Sequence, residues 1–278
     1  MQGYTMGTPF LTLYHIAEGV TAFSSTRHGG YGEGSYGEFN VNLYCGDDPE
    51  AIALNRKALC QKLGISQDRL IMPHQVHGTS VTQIGRTFFM LSKEVRRAAL
   101  EGVDAVMTNL TDVCIGVSTA DCIPIIIYDR EHHAACAVHA GWRGTVKRIT
   151  RKAVLAMVMA YHSQPEHLKA VIGPGISLKN FEVGDEVYDE FQQEAFPMEQ
   201  IAKRFDALSP ANGSSGLREQ RWHIDLWEAN RLQLHATGIM PENIQLAGIC
   251  TYDNCDDYFS ARRLGTASGR ILTGIIIR

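Results

Sequence analysis

Cys122 and His139 stand at the far ends of STADCIPIIIYDREHHAACAVHAGWRG (residues 118–144), where two apolar runs are joined by the polar turn DREHH. A thiol and an imidazole brought together at one end of a hairpin can share a metal ion, or can act as nucleophile and base. A core thiol beside a hydrogen-bonded strand-end histidine is the plain alternative for these two residues alone. PHQVHG (73–78) changes the balance, because it presents His74 and His77 from a short turn segment. Cysteine with histidines is a borderline-soft set suited to Zn²⁺, and three protein ligands with a fourth position open is the catalytic arrangement.

Other segments offer anion chemistry. After His139 the chain runs AGWRGTVKR, a strand-to-helix junction in which Gly141 and Gly144 flank Trp142 and Arg143. Exposed amides and the positive end of a helix dipole suit an anion there, and Arg143 would add a planar fork for phosphate. Arg27 leaves a strand in SSTRHGG (24–30) and enters a glycine-rich loop. That loop holds GEGSYG (32–37), formally G-x-G-x-x-G, but FNVNLYCGD follows with strand character and no opening helix, so a dinucleotide fingerprint is rejected. Cys250 and Cys255 lack a second pair at finger-like spacing, and the deaminase signature H-x-E with P-C-x-x-C is absent.

These groups need elements to position them. CIPIIIYD is uniformly apolar, as a strand buried on both faces would be, and AACAVHA is its natural antiparallel neighbour across DREHH. Further strands are expected in LTLYHI, GVTAFSS, RLIMP, SVTQIG, VCIGVS, LKAVIG, IQLAGIC, DYFSAR and RILTGIII. Residues 48–63 read as a helix capped by Asp48, with Pro49 in the first turn and a stop at Gly64. Residues 144–161 read as a second helix with an apolar side of Val146, Ile149, Val154, Met157 and Val158, and others are expected at 184–195 and 224–237. LSPANGSSGLREQ (208–220) reads as an exposed loop or flap inserted within one domain. Strands and helices do not alternate regularly, so the expected class is α/β in the mixed α+β sense, with mixed sheets flanked by helices.

At 278 residues with a net charge of −4, the chain can bury a large core and lacks the strongly basic face of a nucleic-acid protein. Its first residues lack the basic and apolar regions of a signal peptide, and no run approaches a membrane span, so no membrane partner and a cytoplasmic address are expected. Seven scattered cysteines fit thiols in a reducing compartment.

SSTRHGG, FNVNLYCGD with an NRK-bearing helix, HQVHG, DAVMTN, STADCIPI, AVHAGWRG, IGPGI with FEVGDEV, and CTYDN with YFSARR follow one another in that order. Together they resemble the laccase-domain, YfiH-type family, described as purine nucleoside phosphorylases and also as peptidoglycan editing factors, from about residue 20 to the C terminus. The resemblance implies one domain over 1–278 with a mixed α/β fold related to cysteine-hydrolase-like toxins. It also implies a zinc ion held by His77, Cys122 and His139, with His74 either supporting that site or incidental to it; the residues alone do not choose between the two histidines. Ser118, in STADC where MTADC is commoner, should alter packing more than chemistry.

The implied activity is phosphorolysis of adenosine, inosine and methylthioadenosine, with adenosine deamination besides. Cys122, His139 and Asp121 are the expected catalytic residues, Glu182 an alternative proton carrier to Asp121, and Arg27, Asn42, Arg143 and Arg262 the expected contacts to purine nucleoside and phosphate. A homodimer is left open. An older family description is a copper-dependent polyphenol oxidase, but eleven mostly isolated histidines do not supply a trinuclear copper cluster convincingly. Two rivals stand beside this reading: a metal-independent hydrolase or amidase with Cys122 as nucleophile and His139 as base, and a redox or scaffold protein whose metal is structural.

Overall fold

A computed structural model describes residues 6–207 and 220–278, so the expected flap at 208–220 lies, except for Gln220, outside the described residues. In chain order the strands are β1 (Leu11–Tyr14), β2 (Val20–Ser25), β3 (Leu70–Ile71), β4 (Val81–Gln83), β5 (Ala105–Thr108), β6 (Cys114–Thr119), β7 (Ile123–Asp129), β8 (Ala134–Ala140), β9 (Leu168–Ile172), β10 (Glu182–Val183), β11 (Ala202–Asp206), β12 (Gln220–Ile224), β13 (Ile244–Leu246) and β14 (Ile271–Ile277). The helices are α1 (Pro49–Leu63), α2 (Lys93–Ala99), α3 (Trp142–Val146), α4 (Ile149–Tyr161), α5 (Asp185–Gln193), α6 (Met198–Ile201), α7 (Leu226–Ala236) and α8 (Ala261–Leu264).

The strands form sheets ordered β1-β2-β14-β6-β3, β13-β9-β7-β8-β5-β4 and β10-β12-β11. Both larger sheets are mixed: β7 pairs antiparallel with β8 and β9, while β13 with β9, β4 with β5 and β3 with β6 are parallel. The expected α/β class with mixed sheets and flanking helices is therefore the observed one.

The uniform apolarity of β7 and β8 has a direct cause, since both are buried along their whole length. Side chains alternate between the faces of a sheet. Ile123, Ile125, Ile127 and Val138 pack against Val154 and Met157 of α4 and Leu234 of α7. The intervening residues Ile126, Tyr128, Ala135 and Ala137 meet Ile115, Val117 and Ile275 of the five-stranded sheet. The far face of that sheet, with Phe23, Leu272 and Ile276, is covered by Leu59 and Leu63 of α1. The main body is thus four layers, helix, sheet, sheet, helices. Among the described residues no helix is long and apolar enough to cross a membrane.

Helix α1 forms as its sequence directs: Asp48 accepts the Glu50 amide, Pro49 opens the helix, and Gly64 ends it at φ +62°. Two expectations need correction. The helix expected over 144–161 is two, α3 and α4, because Arg148 sits at φ +63° between them; its guanidinium lies over the Phe196 ring and donates to the Glu194 carbonyl, which holds the chain out of helical continuity. DYFSAR is not a strand. Tyr258 and Phe259 are buried with Ala120 and Ile271, and the Ser260 hydroxyl caps α8 by accepting the Arg263 amide.

Candidate metal centre

The β7–β8 register pairs Pro124 with His139 and Ile123 with Ala140, so Cys122, one residue before β7, meets the C-terminal end of β8. The turn closing the other end is held by Asp129, whose Oδ1 accepts the Glu131 and His132 amides. Asp104, just before β5, brings in the third segment. Its carboxylate accepts the amides of Val76 (3.3 Å), His77 (3.0 Å) and Gly78 (2.7 Å), and accepts His139 Nδ1–H at 2.7 Å. Its carbonyl also accepts the His139 amide. One carboxylate thereby bends the 76–78 loop, with His77 at φ +61°, and turns the His139 ring so that Nε2 is the nitrogen left to the cluster.

His77, Cys122 and His139 each offer a ligating atom, and these atoms lie within 4.8 Å of one another. His77 Nε2 is 3.7 Å from Cys122 Sγ, and the two imidazoles meet edge to face with centroids 4.8 Å apart. Gly141 makes room: a Cβ there would stand 2.7 Å from His77 Cδ2 and 3.1 Å from Cys122 Sγ. His139 is buried, Cys122 half-buried and His77 exposed, so the cluster opens on one side. Two imidazoles and a thiol converging with an open side fit a borderline metal such as zinc.

Electrostatics favour charge separation. Burial would push the Cys122 thiol up, but the charge and hydrogen bond of His139, then those of His77, outweigh it and hold the thiol below its usual value. Burial would lower the His139 imidazole, and the Cys122 charge with the Asp104 hydrogen bond raises it instead. Asp104 is held below the ordinary carboxylate range: burial opposes this, and His139 with the loop amides prevails. By contrast the Cys136 thiol, buried on β8 without such partners, is pushed up to about 12.

The cluster borders a cavity of about 550 Å³. Of the residues expected at the site, Asn42, Asp121 and Arg262 reach its wall with His77, Cys122 and His139, whereas Arg27 and Arg143 do not. Arg27 donates to the carbonyls of Gly37 and Cys255 and lies over Phe259, stapling its glycine-rich loop. Arg143 is exposed and lies over its own neighbour Trp142. Asp121 is committed through both oxygens, accepting the Thr251 hydroxyl and the Arg262 amide at the start of α8. Glu182 offers its carbonyl to both terminal nitrogens of Arg262. Ser118 accepts from Asn42 Nδ2, and its amide donates to Gln75 Oε1, so it ties the 39–47 segment and the 73–78 loop to β6.

Four residues of the site were not singled out as site residues from sequence: Asp104, Gln75, Tyr44 and Arg270. Asp104 lies in DAVMTN and Gln75 in HQVHG, whose spacing announces a motif without revealing which loop the carboxylate or amide meets. Tyr44 borders the cavity from FNVNLYCGD and Arg270 from the start of RILTGIII, segments whose motif or strand character does not say which side chain meets the cavity.

A family model described as multi-copper polyphenol oxidoreductase laccase matches residues 21–278. A Bacteroides thetaiotaomicron protein named purine nucleoside phosphorylase is 43% identical over 258 residues, covering 93% of this chain and 92% of that one. A protein named adenosine deaminase RL5, from an unknown prokaryotic organism, is 41% identical, covering 93% and 94%. The crystal structure of YlmD from Geobacillus stearothermophilus superposes with a TM-score of 0.80 at 30% identity, covering 94% of this chain and 93% of that one.

Proposed function

The chain belongs to the family described as multi-copper polyphenol oxidoreductase laccase, and we propose that within it this protein is a zinc-dependent purine nucleoside phosphorylase of the cytoplasm that also deaminates adenosine. The observation that carries this is the convergence of His77, Cys122 and His139 at the wall of a nucleoside-sized cavity. Relatives named purine nucleoside phosphorylase and adenosine deaminase support the substrate class. A zinc ion held by these three residues supplies Lewis-acid chemistry to the cavity. Multicopper oxidation needs further histidine clusters, and among the described residues this is the one group of three or more metal-ligating side chains.

The chain's own residues do the remaining work. Asp104 keeps His139 in the tautomer that presents Nε2 to the site. Asp121 and Ser260 anchor α8, which sets Arg262 at the cavity wall to meet the anion. Asn42, held by Ser118, faces the same space. In phosphorolysis, phosphate replaces the base at C1′, giving ribose 1-phosphate and free purine, so positioning of two substrates is the chief requirement. Metal analysis of purified protein, followed by incubation with adenosine with and without phosphate, tests the proposal. Adenine forming only with phosphate, and inosine forming without it, is the expected pattern; a zinc-loaded protein that forms neither sinks it.

A second reading is favoured by one feature. Cys122, His139 and Asp104 stand in the order nucleophile, base and orienting carboxylate, with the proton drawn from sulfur toward the imidazole. This suits a metal-independent cysteine hydrolase. Cys122→Ser separates the two: a zinc ligand lost takes the metal with it, whereas a Cys122→Ser protein with full zinc content and no turnover moves the function to the hydrolase class.

A further inference from the structure

Tyr44 and His74 stand face to face on one wall of the cavity, ring centroids 3.9 Å apart and planes within 20°. Core filling does not require them, since Tyr44 is 39% exposed and His74 only half-buried. Hydrogen bonds nevertheless hold the His74 ring and the backbone at Tyr44. His74 Nδ1–H donates to Glu101 Oε1 at 2.6 Å, its amide donates to the Leu100 carbonyl, and a β-bridge joins the backbones of His74 and Glu101. At Tyr44 the backbone is held by a side-chain turn in which Asn42 Oδ1 accepts its amide at 2.6 Å, and the ring rests on His74.

The stack is also fixed relative to the thiol–imidazole cluster. His74 and His77 share one short loop, which Asp104 clamps at 76–78 and Gln75 ties to β6. Asn42, which holds Tyr44, is bonded to Ser118 on that same strand. A flat π-surface bordering the same cavity as the reactive groups is what a planar heterocycle needs. Aliphatic wall would bind such a ring without orienting it.

We infer that the Tyr44–His74 pair is the platform on which the purine ring of the substrate stacks, with Glu101 as the positioning residue that holds the imidazole plane. The inference rests on the nucleoside reading above and names the part of the site that selects the base.

The probe is 2-aminopurine riboside, whose fluorescence falls on stacking, titrated into the full-length protein. Wild type quenches it. Tyr44→Leu keeps the bulk but not the π-face, weakens binding on the order of tenfold or more, and loses most of the quench. Tyr44→Phe recovers both relative to Tyr44→Leu, and zinc content is equal in all three. In turnover, Tyr44→Leu raises the KM for adenosine more than it lowers kcat. Glu101→Gln shifts adenosine KM in the same direction with a partial loss of quench.

Undiminished binding and quench in Tyr44→Leu overturns the platform, as does a Tyr44→Phe protein as impaired as Tyr44→Leu. Wild type that quenches the probe but turns over no nucleoside overturns the phosphorylase reading and leaves the platform standing. Wild type that turns over adenosine without quenching the probe overturns the platform alone.

Discussion

Asp104 joins the thiol–imidazole pair to the loop that carries the third ligand, so its replacement should act at a distance from the metal. Asp104→Asn preserves shape but puts an NH₂ group where the carboxylate accepts three amides and a ring N–H. Zinc affinity should fall about 10- to 100-fold, measured by chelator competition; wild-type affinity in the variant would show that the loop and ring orient themselves without it. Gly141→Ala places a methyl 2.7 Å from the His77 ring and 3.1 Å from the Cys122 sulfur. Its expected effect is lost metal occupancy with little change in the thermal midpoint of the metal-free protein, read by metal analysis beside a melting curve. Cys122 and His139 were legible from sequence because one hairpin brings them together. His77 was not separable from His74 by spacing; the structure distinguishes them by the carboxylates they meet, Asp104 through the loop of one and Glu101 on the ring of the other. Arg27 looked like an anion ligand because the charge was visible in the sequence, whereas the carbonyls that engage it were not.

The β7–β8 hairpin depends on its turn as much as on its apolar strands. Asp129 ends β7 almost wholly buried, and its carboxylate accepts two turn amides and His132 Nδ1–H. Burial would raise its pKa; the surrounding donors override this and hold it below the ordinary carboxylate range. A carboxyl whose folded pKa is depressed contributes stability above its unfolded value, near 3.9, and that contribution is lost as pH falls through the folded value. Asp129→Asn should therefore lower unfolding free energy by about 1–3 kcal/mol at neutral pH in urea titrations, with the gap to wild type narrowing below about pH 4. A gap that stays constant into acid would assign the loss to shape instead of charge. The helices at 49–63, 185–193 and 226–236 were legible because caps and apolar spacing are local. The β11–β12 pair was not, since AKRFD and QRWHI carry charges on exposed positions and show no clean alternation. The break between α3 and α4 was equally hidden, because its cause, Phe196 with the Glu194 carbonyl, lies some 46 residues further along.

The four-layer arrangement shields the central strands of both large sheets, β7 and β8 in one and β6 and β14 in the other. Ile126 is fully buried between the two large sheets. Ile126→Ala should cost about 2–5 kcal/mol and lower the melting temperature by several degrees, checked by calorimetry or denaturant titration; a loss under about 1 kcal/mol would mean that the inter-sheet layer closes over the missing methyls. A mixed-sheet class was legible from the irregular order of strands and helices, but the stacking of one sheet on another was not. Continuous apolarity announces that both faces of β7 are covered without saying whether a helix or a sheet covers each. Strand placement carries a last consequence. The seven-residue strands β7, β8 and β14 lie inside their sheets, while the edges are β1, β3, β13 and β4, of four, two, three and three residues. IPIIIYD and ILTGIII have the composition of self-associating β-segments, and the edges of the two large sheets offer other copies only two to four residues to pair with. Aggregation of these segments is thus a hazard of the nascent or refolding chain, and the yield on refolding should fall steeply with protein concentration, whereas in the folded state the two large sheets are guarded by the brevity of their own borders.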